Sequence, residues 1–231
     1  LYFFYKRNRL LKKRVSTFIT PAPSLKKYLD KNNFKNVKSI PNFIDIKKRK
    51  PRFEKINKNQ ILYVGQLEKN KGVHLLIREM KQVVKEKPNI KLKIAGSGSQ
   101  EKTLKNLVKK LNLGKNVEFL GWVDNVNELY KESSFIIVPS ICMENAPITI
   151  QEVMVNSRPV IGGDRGGIPW LVQNNKTGLI VEPLNIGEIS KSILDLLNNP
   201  KKIKQFGKNG HVWVKEISKK GRIENIINIY K

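Results

Sequence analysis

Residues 135–152 read Phe135-Ile136-Ile137-Val138-Pro139-Ser140-Ile141-Cys142-Met143-Glu144-Asn145-Ala146-Pro147-Ile148-Thr149-Ile150-Gln151-Glu152. The unbroken apolar run Phe135–Val138 is the pattern of a strand covered on both faces of its sheet. Pro147 suits the first turn of a helix, because its fixed φ is helical and its missing N–H would have had no partner there. The stretch therefore reads as strand, loop, helix, with Glu144 in the loop and Glu152 on the helix. The free N–H groups of that first turn favour an anion. The unit suits a phosphorylated ligand that also carries hydroxyls for carboxylates to hold. Two glutamates at this spacing also arise by chance, so their meaning rests on their neighbours.

The same unit recurs on both sides. Ile61–Val64 predicts a strand ending at Gly65, and Gly72–Glu86 a helix with Val73, Leu76, Ile77, Met80 and Val84 on one face. Lys91–Ala95 is the next strand, followed by a helix over 100–111 with Leu104, Leu107, Val108 and Leu111. Val117–Leu120 is a strand ending at Gly121, and Val126–Lys131 a short helix. After the Pro147 helix come the strands Pro159–Ile161 and Gly178–Val181 and the helix Ile186–Leu197. Strands alternating with helices at this spacing predict an α/β fold, a Rossmann-like doubly wound parallel sheet. Earlier in the chain, residues 1–14 read as an amphipathic basic helix and Val15–Thr20 as a short strand. Ser24 reads as the N-cap of a helix through about Lys31, and 38–42 ends in a turn. Residues 46–58, lysine-rich and aperiodic, read as a linker.

Ligands of such sheets bind beyond the carboxyl ends of the strands. Five loops fall there: Gly65-Gln66-Leu67, Gly96-Ser97-Gly98, Gly121-Trp122-Val123, Cys142 to Pro147, and Gly162 to Gly167. Lys71, at the start of the first helix, offers an ammonium to a phosphate. Gly96-Ser97-Gly98 begins a dinucleotide fingerprint, but Glu101 stands at the third glycine position and no acidic residue ends the following strand. That argues against a nicotinamide or flavin cofactor. His74 and His211 have no second ligand at metal spacing, and there is no Asp-x-Asp pair. We expect no metal and no cofactor.

Composition sets the outer limits. The 231 residues carry 45 Lys and Arg against 19 Asp and Glu, a formal charge of +26, with 39% hydrophobic residues to supply a core. A field of that sign attracts nucleic acid, acidic lipid or phosphorylated substrates. Lysine is spread along the whole chain, with Asn and Ile abundant, so compositional drift accounts for most of it. No zinc spacing, aromatic RNP pattern or basic region with heptads marks a specific nucleic-acid binder. The single cysteine, Cys142, excludes an intrachain disulfide and suits a reducing compartment; it reads as a packing residue. No apolar run is long enough to span a membrane. We expect a cytoplasmic chain, with the basic, aromatic residues 1–14 available for peripheral contact with an anionic membrane face. Beginning at Leu1 without a methionine, it is expected to be a piece of something longer.

The ordered set Gly65-Gln66-Leu67…Lys71-Gly72, Ile94-Ala95-Gly96-Ser97-Gly98, Val117–Gly121, Glu144-Asn145-Ala146-Pro147…Glu152, Gly166-Gly167-Ile168-Pro169 and Lys176-Thr177-Gly178-Leu179 resembles the donor half of retaining GT-B glycosyltransferases. More narrowly, it resembles the glycogen-synthase-like and mannosyltransferase-like family 4, the glycosyl transferases group 1. The likeness runs from about residue 14 to 231. It implies the C-terminal domain of a GT-B fold with a remnant of the N-terminal domain. On that pattern residues 1–45 are the remnant of the acceptor domain and the crossover, and 46–58 the linker. Residues 59–210 are the nucleotide-sugar-binding domain, and 211–231 the helix returning toward the N-terminal domain.

The resemblance implies transfer of a sugar from a nucleotide diphosphate sugar, UDP- or GDP-linked, to a glycan, lipid-linked or small-molecule acceptor, with retention of anomeric configuration. Glu144 and Lys71 take the catalytic places: Glu144 at the transferred sugar, Lys71 on the leaving diphosphate. Glu152 would hold the ribose hydroxyls. Main-chain N–H groups around Asn145, Ala146, Pro147 and Ile148 would meet the sugar and phosphates. Gly65, Gln66, Gly96 and Gly98 would line the donor, and the turn through Val123 would hold the base. Two departures stand out. Gln66 occupies a position where the family usually carries arginine, a charge-assisted phosphate contact worth about 1.5–3 kcal/mol. Trp170 stands where an acidic residue commonly follows Gly-Gly-Ile-Pro. The body of the acceptor domain is absent, so the chain alone is expected to bind donor but transfer sugar poorly. Beside this reading stand a non-catalytic donor-binding subunit needing a partner chain, and a nucleic-acid binder suggested by charge alone.

Overall fold

The computed structural model describes residues 10–44, 46, 57–220 and 223–230. The helix expected over 1–14 lies mostly outside these; residues 10–14 are helical. Most of the linker expected at 46–58 also lies outside.

A small unit comes first: β1 (Phe18–Thr20), α1 (Pro23–Lys31) and β2 (Val37–Ser39), with β1 and β2 paired in parallel. The larger body follows as β3 (Gln60–Val64), a 3-10 turn Lys69–Lys71, α2 (Val73–Glu86), β4 (Lys91–Ala95), α3 (Glu101–Lys110), β5 (Val117–Gly121), α4 (Asn127–Glu132), β6 (Ile136–Val138), α5 (Ile148–Val155), β7 (Val160–Gly163), α6 (Ile168–Leu171) and β8 (Gly178–Val181). The chain then forms α7 (Glu188–Asn198), α8 (Pro200–Lys220) and α9 (Ile223–Tyr230).

The large sheet has six strands, all parallel, in the order β5-β4-β3-β6-β7-β8. This is the Rossmann-like arrangement expected from the alternation. Chain direction across the sheet reverses between β3 and β6, which is where open α/β sheets bind their ligands. The strands separate two apolar clusters by their two-residue period. Ile61, Tyr63 and Ile137 enter one, with Leu76 and Met80 of α2 and Ile193 of α7. Leu62, Ile136 and Val138 enter the other, with Ile150 and Met154 of α5 and Val214 and Ile217 of α8. β6 is buried throughout, as its unbroken apolar run predicts.

Several boundaries differ from the sequence reading. Pro147 is the N-cap of α5, with ψ at 119°, and the helix begins one residue later. α1 starts at Pro23 rather than after Ser24, because a residue before proline is driven to extended backbone and Ala22 accordingly sits at φ −136°, ψ 142°. On α2 it is Val83, not Val84, that is fully buried. The 38–42 segment opens with the last residues of β2, a strand that the sequence reading did not identify because three residues are too few to show a period.

The largest difference is α8, which starts at Pro200 and runs unbroken through residue 211, where a new segment was expected. Lysines and two glycines hid residues 200–210 from a helical reading. The glycines serve contact: a Cβ at Gly207 would lie 2.1 Å from the Ser157 carbonyl oxygen. The helix packs there against the end of α5, and the missing side chain is what permits the approach.

Candidate functional site

The loops after β3, β4 and β5 and the first turns of α5 enclose a cavity of about 580 Å³ at the sheet's switch point. Gly65, Gln66, Gly96, Gly98, Val123 and Glu152 all line it. Glu68, Trp122, Asp124, Tyr130 and Thr149 line it as well. The β3 and β4 loops are fastened to each other. Leu67 N–H donates to the Ser97 carbonyl at 2.8 Å, and Glu68 accepts from the Ser99 N–H and hydroxyl at 2.8 and 2.7 Å. The Ser99 hydroxyl and then its N–H hold the Glu68 carboxyl below the usual range. Tyr63 donates its hydroxyl to the Gln66 carbonyl at 2.7 Å, fixing the backbone at the cavity floor. Burial pushes that phenol far up, with Glu144 adding to the shift.

Glu152 sits on the cavity side of α5. Tyr130, on α4, donates its hydroxyl to Glu152 Oε2 at 3.0 Å. Trp122 is 76% exposed at the mouth, and its ring N–H donates to Asp124 at 2.8 Å.

A second group of site residues gathers outside this lining, on the loop after β6. Lys71 Nζ reaches Glu144 Oε1 at 2.7 Å, and the Ser140 hydroxyl donates to the same oxygen at 2.8 Å. Cys142 Sγ lies 3.8 Å from it; burial first and the Glu144 charge second push the thiol up, so it stays protonated. The β7 loop braces this segment, with Gly167 N–H donating to the Glu144 carbonyl at 2.6 Å. Asn42 of the N-terminal unit donates to the Ala146 carbonyl at 3.0 Å, and Ala22 joins Ala146 and Ile168 in one buried cluster. Asn145, Ala146, Pro147 and Ile148 thus form the turn leading from the ion pair to the helix that carries Glu152. The first N–H groups of α5 have no acceptor in their own helix.

The site is therefore two adjoining centres on one sheet edge: a cavity ending at Glu152, and an ion pair at Glu144. Tyr130 and Glu68 escaped the sequence reading. An acidic residue inside a glycine loop was the available signal for Glu68. Tyr130 looked like any apolar residue of a short helix. Trp170 packs edge-on to Trp213 of α8, ring centres 6.4 Å apart. Among the described residues, no group of three His, Cys, Asp or Glu stands where it could hold a metal ion. His74 and His211 are both lowered by burial, His211 with its Nδ1 at 2.9 Å from the Val155 carbonyl. No helix among the described residues is long and apolar enough to cross a membrane.

A parallel sheet with this strand order, carrying a glycine-lined cavity at its switch point, defines a Rossmann-like ligand-binding domain. The profile of the family described as glycosyl transferases group 1 matches residues 45–213. The chain belongs to that family. It is 32% identical over 183 residues to an uncharacterized glycosyltransferase of Haemophilus influenzae, covering 79% of this chain and 50% of that one. It is 24% identical over 204 residues to the poly(ribitol-phosphate) alpha-N-acetylglucosaminyltransferase of Staphylococcus aureus, covering 87% and 41%. Among solved structures, S. aureus TarM bound to UDP, fondaparinux and alpha-GlcNAc-glycerol superposes with a TM-score of 0.85 at 22% identity, over 95% of this chain and 44% of that one. Anabaena HepE with UDP and glucose gives 0.86 at 19%, over 96% and 65%. The chain spans half or less of the length of the two relatives named above.

Proposed function

We propose that this chain holds the donor-binding half of a retaining glycosyltransferase that moves a sugar from a nucleotide diphosphate sugar to an acceptor. The observation that carries this reading is the cavity between the β3, β4 and β5 loops, closed at one end by Glu152 and adjoined by the Lys71–Glu144 pair. A nucleoside fits the lined cavity, with Glu152 taking the ribose hydroxyls and the turn at Val123 taking the base. The diphosphate then extends toward Lys71 and the start of α5, where positive potential collects. The sugar falls beside Glu144.

In this reading Lys71 shares its ammonium between Glu144 and the diphosphate, and its hold tightens as charge grows on the leaving phosphate. Glu144 holds sugar hydroxyls and faces the positive charge that develops near the anomeric carbon. The acceptor attacks from the face the diphosphate leaves, and the leaving phosphate takes the acceptor proton, so configuration is retained. No metal or cofactor is assigned a step. The acceptor is a glycan, a lipid-linked or a small molecule, held by an acceptor domain across the cleft. Residues 1–45 belong to that domain and the crossover, 46–58 link, 59–210 bind the donor, and 211–231 return toward the first domain. The protein works in the cytoplasm, with peripheral contact to an anionic membrane face and no specific nucleic acid partner. The resemblance and the family support the donor chemistry and the domain bounds, and composition supports the location; the UDP held by TarM and HepE is theirs.

Calorimetric titration of UDP- and GDP-sugars against the unsubstituted chain and Glu152→Ala tests the reading. Binding of one class, lost in the variant, is expected. No binding of either class, or no loss in Glu152→Ala, overturns it. A second reading keeps the donor site but assigns the acceptor half to a separate chain; efficient transfer to an added acceptor by this chain alone excludes it.

A further inference from the structure

We propose that Tyr130 is a positioning residue that orients the Glu152 carboxylate toward a vicinal diol and so makes the cavity select ribonucleotides over deoxyribonucleotides. The inference rests on the donor-site reading above and deepens it.

Tyr130 is 1% exposed, and its ring belongs to the apolar cluster that holds Leu62, Ile136, Ile150 and Val153. Tyr130 also lines the cavity, and its hydroxyl meets Glu152 Oε2 at 3.0 Å. A phenol keeps its proton at neutral pH and an ionised carboxylate can only accept, so the direction of this bond is fixed. No hydrogen bond from the described residues reaches Glu152 Oε1, and Glu152 lines the cavity. One oxygen is therefore tethered, and the other is open to hydroxyl donors from a ligand.

The tether is held from behind. Arg158 is completely buried and ties the end of α4 to the end of α5. Its guanidinium donates to the carbonyls of Lys131 and Ser133, the latter at 2.8 Å, and to that of Asn156 at 3.1 Å. The two short helices that carry Tyr130 and Glu152 thus share one anchor at their far ends. A carboxylate held in one orientation beside a closed wall strongly prefers a ligand that supplies hydroxyls. A ligand without them leaves it desolvated and unpaired, and sites built to pair a substrate hydroxyl reject its absence strongly. The phenol makes that preference geometric rather than merely electrostatic.

The test is calorimetric titration of UDP and GDP, with their 2′-deoxy and 2′,3′-dideoxy counterparts, against the full chain, Tyr130→Phe, Glu152→Gln and the double variant. The unsubstituted chain should favour the ribonucleotide about tenfold or more. Tyr130→Phe should lose most of that preference while its dideoxynucleotide affinity stays nearly the same, and the double variant should be no worse than Glu152→Gln alone. A merely structural role for Tyr130 would weaken every ligand equally. A ribose preference unchanged in Tyr130→Phe overturns this inference and leaves the donor-site reading standing. Failure of the unsubstituted chain to bind either diphosphate overturns both. Should Tyr130→Phe not fold, a crystal structure of the unsubstituted chain with the diphosphate decides. The phenol on one Glu152 oxygen and the ribose on the other sustains the inference, and a phenol turned away from Glu152 overturns it.

Discussion

Lys71 and Glu144 lie 73 residues apart in the chain, and their side chains meet at 2.7 Å. Both are mostly withdrawn from water, at 24% and 16% exposure, and the Ser140 hydroxyl completes the contact. The pair joins the loop after β3 to the loop after β6, across the line where the strand order reverses. It sets the orientation of a carboxylate and an ammonium before any ligand arrives. Lys71→Met should leave Glu144 with Ser140 as its main partner. Urea unfolding should show a loss of about 1 kcal/mol. Calorimetry should show UDP or GDP binding about ten- to a hundredfold weaker, the loss of a charge-assisted phosphate contact. Unchanged affinity would remove Lys71 from the diphosphate.

Gln66 lines the cavity, and its backbone is fixed by the Tyr63 hydroxyl at 2.7 Å. Gln66→Arg adds a guanidinium to a wall whose main chain is already set. Diphosphate affinity should rise about tenfold at low ionic strength and fall back as salt is added. A gain that ignores salt would mean the arginine acts by some other route.

Gly166 has φ at +61°, and a Cβ there would stand 2.0 Å from the Glu144 carbonyl oxygen. Gly166→Ala must push the Glu144 loop away or strain its own backbone. Stability should drop by about 2–4 kcal/mol, visible in thermal unfolding. Any nucleotide affinity that depends on Glu144 should fall with it. A variant of normal stability would show that the loop yields without cost.

The two histidines give the fold an acid limit. Burial is the main cause that lowers both, aided at His74 by Arg78 and Lys69 and at His211 by Lys215. His211 Nδ1 must donate to the Val155 carbonyl, and its buried Nε2 has no hydrogen-bond partner among the described residues. The unfolded chain takes up protons near the ordinary value of 6.5, while the folded rings stay neutral to lower pH. The unfolded state then holds more protons, so stability is present above 6.5 and is lost as the pH falls below it. Urea midpoints measured from about pH 7.5 down to about 5 should fall. The double variant His74→Gln/His211→Gln should flatten that decline, and an undiminished slope would shift the cause to the carboxylates.

Much of the sheet was readable from local pattern. Phe135–Val138 announced a strand covered on both faces, and the glycines after Val64, Ala95 and Leu120 announced where strands stop and a ligand can approach. The loops carrying Gln66, Gly98, Val123 and Glu152 do meet at one cavity. Residues 200–210 were not readable as helix, because Gly207 and Gly210 weaken local propensity and are explained only by the α5 surface they pack on. Tyr130 was not readable as part of the site, since nothing in its own segment distinguishes a phenol that touches Glu152 from one that fills a core.

Hydrophobic period, prolines and glycines were enough to settle the α/β class, the run of alternating elements and the edge on which chemistry would collect. These are properties of short windows, governed by backbone sterics and by which face of each element must leave water. Folding alone decided that Lys71 would be spent on Glu144, that a tyrosine would tether Glu152, and that Arg158 would bind two helix ends together. Such contacts join groups far apart in the chain, and they exist only where packed layers fix distances to a fraction of an ångström.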